Sequence, residues 1–138
     1  MTKERLRAYR DRKKELLQIG QMIETLEARL YAPKAQRLTG MPSGPATGRN
    51  AAEDLADQHL ELLAHYKDLE STLKTEQLAV EHAIASLEPI QRTLLRHYYI
   101  EGMKWEEVCV KVGYSWRQTH NIHAKALKML RDIEEGQG

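Results

Sequence analysis

A chain of 138 residues with 41% hydrophobic residues, 30% charged residues and no Phe has room for one small domain plus an extended element, and too few apolar side chains for a large globular core. Its net charge of +1 conceals segregation, because residues 1–14 set seven cations against Glu4 and Asp11 whereas residues 51–87 set eight acids against Lys67 and Lys74. The lone Cys109 excludes an intrachain disulfide, and no apolar run approaches the roughly 18 residues of a membrane span or follows a signal-peptide pattern, so a cytoplasmic protein without membrane contact is expected.

Residues 2–31 place Tyr9, Leu16, Ile19, Ile23, Leu26 and Leu30 at three- and four-residue steps, interrupted only where Arg12 falls on the stripe. That spacing predicts a helix with a heptad-like seam. Residues 32–50, APKAQRLTGMPSGPATGRN, hold three of the four prolines and three of the eight glycines. This is the composition of a flexible linker that breaks both neighbouring helices. Its Gly-Met-Pro-Ser-Gly run lacks the Lys-Ser or Lys-Thr of a phosphate loop and any preceding apolar strand. Lys34, Arg37 and Arg49 read as solvated cations, with phosphate or polymerase contact as the alternative.

Residues 51–87 carry a fuller seam, Leu55, His59, Leu62, Tyr66, Leu69, Leu73, Glu76, Val80, Ala83 and Leu87. A helix of that length, roughly 55 Å at 1.5 Å per residue, outruns what a folded-back first helix can cover, so self-association as a homodimer is expected, with His59 and Glu76 setting register. The fold class is therefore all-α, with residues 1–87 as a helical hairpin or coiled coil.

The boundary at Glu88-Pro89 puts proline in the first turn of a new helix reaching about Ile100, whose Ile90, Leu94, Leu95, Tyr98 and Tyr99 are apolar packing positions. From Lys104 to Val112, Trp105, Val108, Cys109 and Val112 share one helical face. Gly113 can end that helix in the left-handed conformation, and Ser115 can cap the next. In that last helix Thr119, Ile122, Ala126, Leu127 and Leu130 form the packing stripe, and Trp116, Arg117, Gln118, His120 and Asn121 are expected to project from its N-terminal end. No acid occurs from Val108 to Arg131, whereas Lys111, Arg117, Lys125, Lys128 and Arg131 are cationic. Residues 88–138 thus read as a three-helix, helix-turn-helix unit suited to duplex DNA.

On Gly102, Glu107, Val108, Gly113-x-Ser115 and Ile122-x-Ala124-Lys125-Ala126-Leu127-x-x-Leu130-Arg131, residues 88–131 resemble region 4 of sigma-70 family factors, which reads the promoter −35 element. The resemblance implies base contacts by Trp116, Arg117, His120 and Asn121 and a phosphate contact near Gln118, although Trp116, Arg117 and His120 depart from the charged residues of the housekeeping pattern. The wider layout resembles small bacteriophage or prophage regulators of the ArpU and RinA type. Chemistry assigns Arg117 to guanine, Asn121 to adenine and Trp116 to an apolar contact with a thymine methyl or sugar, with Lys111, Lys125 and Lys128 on phosphates.

His120 and His123 have a spacing that can bind metal, but no Cys pair, His-Glu-x-x-His motif or carboxylate cluster accompanies them, and Ser115 has no visible His and acid partners. No enzyme, metal or cofactor is expected. The sequence reads as a sequence-specific transcriptional regulator of phage type, an activator with duplex DNA and RNA polymerase as partners. A small terminase-like packaging protein and a structural coiled-coil adaptor are the alternatives.

Overall fold

The computed structural model describes residues 1–32 and 51–137, and every regular element among them is helical. These are α1 (Lys3–Leu30), α2 (Ala51–Ile84), α3 (Pro89–Leu95) running on into one π-helical turn (Arg96–Ile100), α4 (Trp105–Val112) and α5 (Trp116–Gln137). The expected linker, with Lys34, Arg37 and Arg49, lies outside the described residues apart from Ala32. No described helix is long and apolar enough to cross a membrane.

Local chemistry accounts for the helix ends. Thr2 Oγ1 accepts the Arg5 N–H at 3.2 Å and starts α1. Pro89 occupies the first turn of α3, and Gln91 Oε1 reaches back to accept the Glu88 N–H at 3.2 Å. The π-helical turn closes through the Glu101 N–H, which donates to the Arg96 carbonyl at 2.8 Å. Gly113, at φ 75° and ψ 26°, ends α4 in the left-handed conformation, and its N–H and that of Tyr114 both reach the Cys109 carbonyl.

The chain divides into two packed units, Glu15–Glu70 and Met1–Lys14 with Ser71–Gly138. In the first, Ile19, Ile23 and Leu26 are buried, and Leu55, His59, Leu62, Tyr66 and Leu69 are half-buried. His59 Nε2 lies 3.0 Å from Glu27 Oε1, and the Tyr66 ring lies so close to Gly20 that a Cβ there would meet it at 3.4 Å. In the second unit Leu73, Val80 and Leu87 are buried, with Glu76 paired to Arg5 and Ala83 half-buried. Every seam position from Leu55 to Leu87 is thus covered or half-covered within one chain.

The units also cut across the boundary expected at residue 88. Residues 1–14 pack with the C-terminal helices because α1 buries Leu6 and Tyr9 in that unit and spends two cations on backbone carbonyls left open around the π-helical turn. Arg10 donates from Nε to the Tyr98 carbonyl at 3.0 Å and from Nη2 to the Met103 carbonyl at 3.1 Å, while its guanidinium lies 4.2 Å from the centre of the Tyr98 ring. Lys13 Nζ donates to the Ile100 carbonyl. Arg96 forks onto Glu81 with contacts of 2.9, 3.1 and 2.7 Å, tying the turn to the end of α2. Below them Leu94, Leu95, Tyr99, Val108, Thr119, Ala126 and Leu130 make the core shared by α3, α4 and α5.

Candidate nucleic-acid interface

The buried side of α5 leaves a defined outer face. Thr119, Ala126 and Leu130 are buried and Ile122 and Leu127 half-buried, as the sequence pattern predicts. On the opposite side Arg117, Asn121, Ala124 and Lys128 follow one another at steps of four, three and four residues, all exposed, with Gln118 and Lys125 exposed on the adjoining row. Lys111 is exposed near the end of α4. Five of the eight residues assigned to DNA contact, Arg117, Gln118, Asn121, Lys125 and Lys128, therefore share a solvent-facing surface of one helix.

Gln118 has a second use. Its Oε1 accepts the Ser115 N–H at 3.2 Å while Ser115 Oγ accepts the Gln118 N–H at 3.2 Å, a reciprocal capping box at the start of α5. The Ser-x-x-Gln spacing carries that signal in the sequence. The box occupies the side-chain oxygen and leaves the amide nitrogen to reach outward.

His120 does not project as expected. It is half-buried, with its ring 4.6 Å from the centre of Trp105 and 4.4 Å from that of Trp116, and its Nε2 is shielded from water without a hydrogen-bond partner. Lying about 100° round the helix from the buried Thr119, it sits on the flank of α5 instead of on its outer face. Trp116 rests on it with 53% of its surface exposed. An indole propped open in this way is available for apolar contact at the helix N-terminus.

Behind His120 lies an aromatic cluster that the sequence pattern did not reveal as a cluster. Trp105 stacks on Tyr98 at 4.0 Å and 15°, and His123 sits edge-on to Trp105 at 4.6 Å. These rings, Tyr99 and His120 line a cavity of about 190 Å³ together with Lys3 and Arg7 of α1. The Tyr99 hydroxyl and His123 Nε2 are 2.7 Å apart. Burial raises the Tyr99 pKa and keeps the phenol protonated. His123 is pushed down to about 4, first by burial and then by the positive charges of Lys3, His120 and Arg7. A protonated phenol beside a neutral imidazole pairs with the O–H donating to Nε2. His120 and His123 point apart, their rings perpendicular and 6.5 Å between centres, and no group of three metal-ligating side chains occurs among the described residues.

The low proton affinity of half-buried His123 makes the fold less stable in acid. The unfolded chain takes up this proton near the ordinary value of 6.5 and the folded chain only near 4, so the stabilising contribution is complete above pH 6.5 and is lost as pH falls toward 4. The expected loss is on the order of 2 kcal/mol, after allowance for the part of the ring that water reaches. Glu81, held low by its hydrogen bonds to Arg96, titrates below its ordinary 4.5. Thermal melts at pH 7, 5.5 and 4.5 should show the decline, and His123→Gln should flatten it. The same decline in His123→Gln would remove His123 as its cause.

Comparison with protein-family models, curated proteins and solved structures finds no match to this chain.

Proposed function

We propose that the protein is a sequence-specific binder of double-stranded DNA that regulates transcription, with α5 as its reading helix. The carrying observation is the exposed row Arg117, Asn121 and Lys128, flanked by Lys125, on a helix held against α4 by the Gly113 turn. A guanidinium and a carboxamide one turn apart suit the hydrogen-bonding edges of guanine and adenine in a major groove. The lysines along the same helix suit the phosphates on either side. The absence of Asp and Glu from Val108 to Arg131 keeps that surface free of charges that would repel the duplex.

The resemblance to sigma region 4 supports placement at promoters, and that to small phage regulators supports control of transcription over packaging. His120 enters this reading as the prop for Trp116, in place of the base contact first assigned to it. The test is selection of a binding site from random duplexes with the full-length protein, followed by titration at low salt. Enrichment of one short site, bound at least about a thousandfold more tightly than scrambled duplex, is the expected result. No binding to any duplex at low salt would overturn the proposal and favour a protein-binding adaptor.

A further inference from the structure

We propose that the first two turns of α1 are a second phosphate-contacting element, in which Lys3 and Arg7 hold a backbone phosphate of the duplex beside the reading helix. This inference rests on the duplex-binding reading above. Lys3, Arg7, Arg10 and Lys14 recur at steps of four, three and four residues and so form one basic stripe along α1. The stripe is divided in use. Arg10 is committed to the Tyr98 and Met103 carbonyls, whereas Lys3 and Arg7 are exposed and make no ion pair among the described residues.

Position distinguishes these two cations from an ordinary solvated face. Both line the aromatic cavity with His120 and His123, on the flank of α5 that adjoins its outer row. The start of α1 continues along the same helix, where Thr2, Lys3 and Glu4 line a groove with Ala124, Lys128 and Arg131. Lys3 therefore stands between the His120 end of α5 and its Lys128–Arg131 end. Among the described residues no acid lines the aromatic cavity, and the groove is lined by one, Glu4. Two cations without an ion pair among the described residues thus stand beside two imidazoles on this cavity, and Lys3 and Arg7 add to burial, the larger cause, in holding the proton affinity of His123 down. A duplex seated on the outer row of α5 carries its phosphates past this flank and supplies an anion there.

The experiment measures affinity against salt for the full-length protein and a Lys3→Gln/Arg7→Gln double variant, on the selected duplex and on a scrambled one. Both side chains are exposed, and equal melting temperatures will confirm that the variant folds. The log–log salt slope should become shallower by about 1 to 2 units. Affinity at low salt should fall on the order of tenfold or more, equally on both duplexes, because phosphate contacts carry no sequence information. Arg12→Gln, an exposed residue on the other side of α1, should change neither quantity. An unchanged slope in the double variant, with the unmodified protein binding normally, overturns this inference and leaves the reading helix standing. Loss confined to the selected duplex also overturns it, since that would be base readout. Failure of the unmodified protein to bind any duplex overturns both.

Discussion

Leu94→Ala will lower the stability of the protein by about 2 to 5 kcal/mol, the range for removing a fully buried leucine from a packed core. Leu94 has no exposed surface, and it lies in α3, the helix that packs against both α4 and α5. A small helical unit has little stability to spare, with about 5 to 15 kcal/mol typical of a whole domain. The loss should therefore be visible as a large fall in the urea midpoint followed by circular dichroism, with little change in the slope of the transition. A loss under about 1 kcal/mol would mean that this helix is not the central layer of the unit.

Arg117→Ala and Lys128→Ala will both weaken duplex binding, but in different ways. Arg117 projects from the first turn of α5, where a bidentate contact to guanine is assigned, so its removal should cost about 1 to 3 kcal/mol on the selected site and flatten discrimination at one base pair. Lys128 lies three turns further along the same face and is assigned to the backbone. Its loss should weaken all duplexes alike and reduce the salt slope by about one unit. Salt titrations on cognate and scrambled duplexes separate the two. Equal loss on both duplexes for Arg117→Ala would remove it from base readout.

Much of this architecture is legible in the sequence because the periodicities are long and uninterrupted. The seams of α1 and α2, the proline entry to α3 and the Gly113 and Ser115 corner each follow from one local rule, and each element falls within a few residues of its expected span. The covering of the α2 seam was not legible. Helical spacing shows that a face must be buried and is silent on whether the cover comes from the same chain. The turning in of His120 was also hidden, since it depends on Trp105 and Tyr98 from other elements meeting over the start of α5. The same limit applies to Arg10 and Lys13, which look like surface cations in sequence and act as caps on carbonyls 87 to 93 residues away.

Those caps bear on how the protein is made. The contacts of Arg10 and Lys13 join residues 87 to 93 positions apart in a chain of 138, whereas α3, α4 and α5 join through short turns, so the C-terminal helices can assemble early and the docking of α1 must close a very long loop. During synthesis the first helix leaves the ribosome long before the carbonyls it will cap have been polymerised. Its basic stripe and the buried face of Leu6 and Tyr9 wait without their partners for most of translation. The aromatic cavity, which draws one wall from α1 and the others from residues 98–123, is therefore among the last features of the molecule to form.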